Sequence, residues 1–476
     1  MNIHSVGQVV FDFLGSSPIR VEVVEEQLSS DAGLLPLRQF DERLGWTEGF
    51  AAQLRDGRQG HTHALVEMVR QRVFGILAGY EDQNDHDTLR SDGIFKLVAG
   101  RQPDGLDLAS QPTLSRLENS VTAADLLRLE EWFLQKFIGS FAQPPTELTL
   151  DIDLFDDPAH GQQQLTFFHG FYEQFQYLVR LITCAENDLV VFPVLLHGTA
   201  HATLGVIPDL ERVVVRLRQE WPDVRIHVRT DSGFAVPAYY LACERMRIEY
   251  TVGLPMNAVL QRESQALLAA AVAAWEQTEQ PQRLFTAWEY QAESWPEPRW
   301  VVVKCEAHAQ GTNRRAVVTN RPGARILPQG AYDDYADRGE SENRNKELKC
   351  ELAAGRLSDH RYMANAFRLM MHTLAANLLV RLRQIVAAPP APPPVEPDLP
   401  LEARPLHQKR RHWSQRRKDD PLGEGHACTW RSLVIKVAAR IVVTARCIRV
   451  LLSTTWPNWR YYLAASNAVA AYSPSG

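Results

Sequence analysis

The sequence predicts an α/β protein, with a mainly helical region before its mixed core and a basic helical region after it. Three observations predict this. Residues 147–155 (ELTLDIDLF) alternate cleanly, and strand-like runs recur as far as RIEYTVGL at 247–254, with helical stretches between them. From about 33 to 140, apolar residues recur instead at i, i+3, i+4. Later, Tyr335–Lys349 and the apolar stretch 363–385 both read as helices.

The chain has 476 residues, too many for one hydrophobic core, so two to four domains are expected. Its 45% hydrophobic and 23% charged content is that of an ordinary globular protein. The net charge of −6 is unevenly spread. Residues 404–476 hold 13 Lys/Arg against 3 Asp/Glu, a local +10, and the remainder carries 38 against 54. The basic end is a candidate polyanion contact. Six scattered cysteines with no CxxC pair argue against a zinc site or disulfide framework and suit a reducing cytoplasm. No signal peptide and no 18-residue apolar span is read, so no membrane partner is expected.

In chain order, 1–30 suggests a hairpin and 1–140 as a whole is mainly helical. Thr122 with Asp125 suits a capping box for the helix TAADLLRLEEWFLQKFIG. Thr113–Asn119 is short and hydroxyl-rich, which fits either a helix entering a groove or a plain bundle connection. In 147–155, Leu148, Leu150, Ile152 and Leu154 face one way, and Thr149, Asp151, Asp153 and Phe155 the other. Two carboxylates on one face of such a strand are costly to bury without a cation. LTFFHGF, FQYLVRLITC and DLVVFPVLL read as further strands, and Ile207–Trp221 as a helix. VRIHVRT then leads into Asp231, an acid at the carboxyl edge of a strand, where open α/β sheets place their sites. Arg225, His227 and Arg229 alternate along that strand, more polar than a central strand should be.

The first part of the core, 141–258, is followed by a β-rich stretch at 259–328. That stretch holds a helix (Gln261–Glu276) and three β-like runs. Core helices span 329–386, a proline-rich linker spans 387–403, and a basic helical region spans 404–476. In HQKRRHWSQRRK, Arg410, Arg411, Arg416 and Arg417 suit phosphate-backbone contact, the alternative being a charged disordered tail. Residues 431–452 are expected to form one helix, with membrane-surface binding a weaker use for it.

Chemistry concentrates in Y-A-D-R-G-E-S-E-N-R-N-K-E-L-K. On a helix at about 100° per residue, Tyr335, Arg338, Glu342 and Lys349 fall within roughly 60° of one face, with Lys346 beside them. One carboxylate among a phenol and three cations suits a metal ion held beside a phosphodiester. A solvated face with incidental pairs is the bland alternative. Gly339 would allow close approach of a nucleic-acid backbone.

The spacing Tyr-(2)-Arg-(3)-Glu-(6)-Lys resembles the signature of bacterial insertion-sequence transposases of the DDE class, and more narrowly the insertion-sequence group numbered thirteen-eighty. The resemblance runs from about residue 30 to 385. It implies a ribonuclease-H-like core with the β-rich insertion between the second and third acids, and an N-terminal region that binds the element's ends. Carried over by position, the acids are Asp153, Asp231 and Glu342. Asp151 shares the face of Asp153, and Asp156 and Asp157 follow closely; Asp153 is favoured from its place in the D-I-D run. The resemblance further implies two Mg²⁺ ions, with Mn²⁺ able to substitute, and phosphate contacts from Tyr335, Arg338 and Lys349. It also implies DNA partners (terminal inverted repeats and target), a homodimer, and a nucleoid-associated place in the bacterial cytoplasm. Rival readings are a nuclease that does not join DNA and an inactive DNA-binding descendant. His197 and His201 have metal-pair spacing but fit local loop bonding better, and His160 lies near enough to the first acid to touch substrate. Trp288, Trp295 and Trp300 fit either sheet packing or stacking on a displaced base. LLHGTAHAT departs from the family's Arg-Pro-Gly-Asn wording.

Overall fold

A computed structural model describes residues 9–11, 13, 17, 19–58, 60–387 and 414–473. Most of the proline-rich linker lies outside the described residues, as do Arg410 and Arg411. The N-terminal hairpin is present: β1 (Val9–Phe11) pairs antiparallel with β2 (Ile19–Val21), and β3 (Gln27–Ser29) follows. The helical periodicity then yields α1 (Leu34–Leu44), α2 (Trp46–Ala51), α3 (Leu65–Ala78), α4 (Asp85–Leu89), α5 (Gly93–Ala99), α6 (Gln111–Ser120) and α7 (Ala123–Ile138). The capping box forms at the start of α7: Asp125 N donates to Thr122 Oγ1, and Thr122 N donates to Asp125 Oδ2 at 2.8 Å.

The strand-like runs become β4 (Glu147–Pro158), β5 (Phe167–His169), β6 (Gln174–Cys184) and β7 (Val190–Leu196). After α8 (Val206–Glu220) come β8 (Arg225–Thr230), α9 (Pro237–Arg245) and β9 (Glu249–Leu254). Next are α10 (Ala258–Glu263), α11 (Gln265–Thr278), β10 (Gln282–Tyr290), β11 (Arg299–His308) and β12 (Gly311–Thr319). The sheet order is β10-β11-β12-β9-β8-β4-β6, with β5 and β7 also pairing β6. β4, β8 and β9 run parallel, whereas β6 pairs antiparallel with β4, and β7 antiparallel with β6. The order β7-β6-β4-β8-β9 with these directions is the ribonuclease-H-like arrangement. β12 pairs antiparallel with β9, so the three later strands extend this same sheet. Both faces of β11 are covered. Val301, Val303 and Cys305 join the main core with α11, and Val302 packs with Tyr332 on the other face. Burial on both faces accounts for the unbroken apolar run there.

Then come α12 (Pro328–Ala336), α13 (Gly339–Lys346), a π-helical turn (Glu347–Glu351) and α14 (Tyr362–Val386). Apolar nearly all round, α14 is largely buried and packs against α3, α6, α7 and β7. Buried Glu118 of α6 accepts from Arg72 of α3 at 2.9 Å and pairs with Arg368 of α14. That face of α6 is therefore committed to bundle packing, and Leu114 and Leu117 are buried with it.

The C-terminal region departs from expectation. After a helical stretch α15 (414–419), α16 (Ala427–Trp430) runs into a π-helical turn (Arg431–Ile435). Residues expected to continue that helix instead form β13 (Ala439–Val443) and β14 (Ile448–Leu452), followed by α17 (Trp459–Ala471). The reason lies in β-branched Ile441, Val442 and Val443, which fit a pleated surface. An edge also awaits them: β13 pairs with β3 as well as β14, with Ile441 buried beside exposed Arg440. Among the described residues, no helix is long and apolar enough to cross a membrane.

Candidate active site

Parallel pairing brings two of the acids together. Ile152 of β4 lies opposite Thr230 of β8, so the next residues, Asp153 and Asp231, stand side by side at the carboxyl edge. Asp231 begins a 3₁₀ turn and accepts from Gly233 N at 2.9 Å. Glu342 comes from the first turn of α13, with its side chain exposed. Arg338 joins the acids: one guanidinium nitrogen lies 3.1 Å from Asp153 Oδ2 and the other 2.9 Å from Glu342 Oε1. Asn345 Nδ2, which the sequence reading passed over, also donates to Asp153 Oδ2, at 3.1 Å. Its signal was the i+3 spacing from Glu342 on a helix. Burial raises the pKa of Asp153, as do the fields of Asp231 and Glu342, while Arg338 opposes the rise.

The neighbouring acids are otherwise engaged. Asp151 is buried, and Arg229 Nε and Nη2 donate to its two oxygens at 2.7 and 2.8 Å. This pair accounts for the polar face of β8. Arg229 also donates to Asp334 O of α12 at 2.6 Å, and His227 Nε2 meets Thr251 Oγ1 at 2.9 Å. Burial keeps His227 well below the usual imidazole range. Arg225 pairs with Glu147 at 2.7 Å, completing the row. Asp156 accepts from Lys349 Nζ at 2.6 Å. Asp157 is wholly buried, and burial pushes its pKa up to about 8.

The signature is not one continuous α-helix. α12 ends at Ala336, and Arg338 N→Tyr335 O and Ser341 N→Arg338 O are i→i+3 bonds that tighten the chain before and after the turn. A π-helical turn from Glu347 then widens the helix, so Lys349 departs from ideal spacing and reaches Asp156 on β4. Tyr335 lies over Gly253 of β9. A Cβ there would come within 2.7 Å of the phenol oxygen and 3.1 Å of Ser232 N, so glycine makes room for the ring beside Asp231. A Cβ on Gly339 would meet nothing within 4 Å, and Lys346 is exposed.

Most of the other candidates have partners of their own. Arg416 pairs with Glu424, and Arg417 approaches His426 Nε2 at 3.3 Å. His201 Nδ1 bonds Thr203 Oγ1 at 2.8 Å, His197 packs on Phe167, and His160 is exposed. Trp295 is buried against Tyr240 and Tyr290, and Trp288 and Trp300 are partly buried. Glu347, Glu351 and His426 each offer a donor atom within 4.8 Å of the others. Glu347, however, already pairs with Arg383 and accepts from Ala427 N at 2.7 Å, and Glu351 accepts from Cys428 N at 2.8 Å. This cluster docks the C-terminal segment onto the π-helical turn.

A model of the family "Transposase DDE domain group 1" matches residues 11–391. The chain belongs to this family. No curated protein matches the DDE transposase chain. Among solved structures it is similar to a chain of the piggyBac transposase synaptic complex with hairpin DNA, at 13% identity and a TM-score of 0.37. That match covers 75% of this chain and 77% of the other, and a likeness of that size carries no argument. The acids of this DDE transposase domain fit a hard divalent cation. Their donors are all oxygen, and a cationic group, Arg338, already bridges two of the three.

Proposed function

We propose that the protein is a DNA transposase that cleaves the ends of its insertion sequence and transfers the freed strand into target DNA. The observation that carries this reading is the adjacency of Asp153 and Asp231, with Glu342 joined to Asp153 through Arg338. Asp153, Asp231 and Glu342 would hold Mg²⁺, or Mn²⁺ in its place. Two such ions would supply activation of an attacking oxygen and stabilisation of the leaving one. Arg338 would hold a phosphate by its planar fork, with Lys346 and Lys349 as point charges and Tyr335 as a hydroxyl donor. Buried Asn345 fixes the orientation of Asp153, and Arg229 keeps Asp151 out of the cluster. Water is the nucleophile for end cleavage and the 3′-hydroxyl for strand transfer, so no covalent enzyme intermediate is needed.

In the same reading the chain belongs to insertion-sequence group thirteen-eighty. Residues 1–140 bind the element's ends, 141–258 with 329–386 form the catalytic core, and 259–328 are its insertion. Residues 404–476, with Arg410, Arg411, Arg416 and Arg417, add DNA or subunit contacts beyond the linker. A homodimer pairs the ends, in the bacterial cytoplasm at the nucleoid.

The test is incubation of the full chain with a duplex taken from the gene's flanks, with Mg²⁺, with EDTA, and as Glu342→Gln. Metal-dependent nicking and joining, lost in the variant while DNA binding is kept, is the expected result. Binding without cleavage in every lane would favour an inactive descendant. Cleavage without joining would favour a nuclease.

A further inference from the structure

Two arginines near the acids are held in different ways. Arg229 forks onto one carboxylate: Nε and Nη2 donate to the two oxygens of Asp151 at 2.7 and 2.8 Å, and Nη1 donates to Asp334 O at 2.6 Å. Each of its nitrogens is satisfied, as a buried guanidinium requires. Arg338 instead straddles two carboxylates from different elements. Its Nη2 donates to Glu342 Oε1 at 2.9 Å, and that carboxylate is exposed. Its Nη1 lies 3.1 Å from Asp153 Oδ2 yet makes no hydrogen bond, although it is buried. A buried donor held by charge alone is costly. Arg229 is thus fixed in the fold, and Arg338 is not.

The two oxygens that Arg338 engages are oxygens the site would offer to a hard cation. Asp153 does not need Arg338 for its orientation. Its Oδ1 accepts from Leu154 N at 2.9 Å and its Oδ2 from Asn345 Nδ2 at 3.1 Å. Burial disfavours the charge on Arg338, but the fields of Asp153, Tyr335, Glu342 and Asp231 outweigh it and raise the guanidinium pKa. Three carboxylates therefore share one counter-charge. Divalent ions on the same oxygens would replace that charge and repel the guanidinium. Arg338 also sits in the short break between α12 and α13, next to Gly339, where an added Cβ would meet nothing within 4 Å. A phosphate has room to approach there.

We propose that Arg338 is a resident counter-cation that a divalent ion displaces from Asp153 Oδ2 and Glu342 Oε1, and that a DNA phosphate then holds. The proposal rests on the transposase reading for the ion and the phosphate. The same two nitrogens cannot serve the acids and a phosphate at once. DNA that draws Arg338 away therefore strengthens ion binding, and ions strengthen DNA binding by the same factor. The exchange ties loading of the acids to the presence of an element end.

The test is calorimetric titration of Mn²⁺ into the full chain, as wild type, Arg338→Met and Arg338→Lys, each shown to be folded by its melting curve. The titrations are run at pH 8, so that a proton does not take the place of the guanidinium on Asp153, whose pKa burial raises. Without DNA, Arg338→Met, which keeps much of the length but not the charge, is expected to bind Mn²⁺ roughly ten-fold more tightly than wild type, the scale of a hydrogen bond to a charged group. Arg338→Lys keeps the charge but cannot span both acids, and should gain a smaller part. Adding the paired end from the gene's flanks should strengthen Mn²⁺ binding by a larger factor in wild type than in Arg338→Met.

Binding by Arg338→Met that equals or falls below that of wild type overturns the proposal. A gain in Arg338→Met with none in Arg338→Lys also overturns it, because the effect would then be that of a distant charge and not of displacement. Equal strengthening by DNA in wild type and Arg338→Met removes the phosphate from the exchange and overturns it too. If Arg338→Met does not fold, Arg338→Lys decides, and a wild-type affinity there defeats the exchange. Each of these results leaves the metal site standing. Folded wild type and Arg338→Met that both fail to bind Mn²⁺, with or without DNA, defeat the transposase reading as well.

Discussion

Both carboxylate oxygens of Asp151 are held by Arg229, at 2.7 and 2.8 Å, inside the sheet. Two residues on, Asp153 faces Asp231 and Arg338. The same strand face thus carries one acid committed to the fold and one at the candidate site. Removing one partner of a buried pair leaves an uncompensated charge, at a cost of about 3–5 kcal/mol. Arg229→Ala is therefore expected to lower stability by that order in urea melts. Asp153→Asn should cost less, because Arg338 keeps its contact with Glu342 and an amide oxygen can still accept from Asn345. Equal destabilisation by the two changes would contradict this division.

Arg338 holds two acids through a planar fork, which a point charge cannot reproduce. Arg338→Ala is expected to weaken binding of a duplex end by about ten-fold or more, the scale of a hydrogen bond to a charged group. Arg338→Lys should recover only part of it. Filter binding at fixed salt checks this, and full recovery by lysine would show that charge alone matters.

Asp157 gives a pH dependence with a defined sign. Its folded pKa, about 8, lies above the ordinary carboxyl value of 3.8, so the folded state binds the proton more tightly. The stability this confers is complete at low pH, falls as pH rises from about 4, and is gone above about 8. Melting temperatures at pH 6 and pH 9 should therefore differ more for wild type than for Asp157→Asn, whose amide mimics the neutral acid. An identical drop in both would sink the assignment.

Glu118 ties α6 to α3 through Arg72 and to α14 through Arg368. Glu118→Gln leaves two buried guanidinium groups with one neutral partner. It is expected to destabilise by about 3–5 kcal/mol and to expose both α6 and α14 to hydrogen exchange together. Protection lost from α6 alone would mean that the N-terminal helices and α14 do not share one cooperative unit.

Much of this was legible in the sequence, because the strands and most helices follow local period. The alternation of 147–155 and the capping box at Thr122 needed no distant partner. What failed depended on partners far along the chain. Arg229 sits 78 positions from Asp151, so the pair that holds Asp151 inside the sheet had no local signal. Residues 439–452 place arginines at helix-like intervals, and their strand conformation is settled by pairing with β3 near the other end of the chain. The π-helical turn at Glu347–Glu351 is engaged by Arg383 and the 426–428 segment, contacts invisible to a spacing argument.

The most direct test of the site is calorimetric titration of Mn²⁺ into the full chain without DNA. Wild type should bind, and Asp153→Asn, Asp231→Asn and Glu342→Gln should each weaken binding by at least about ten-fold. His426→Ala, which alters the other acid–histidine cluster, should leave it unchanged. Undiminished binding in folded Asp153→Asn and Asp231→Asn, with loss in His426→Ala, would place the ion elsewhere and contradict the site.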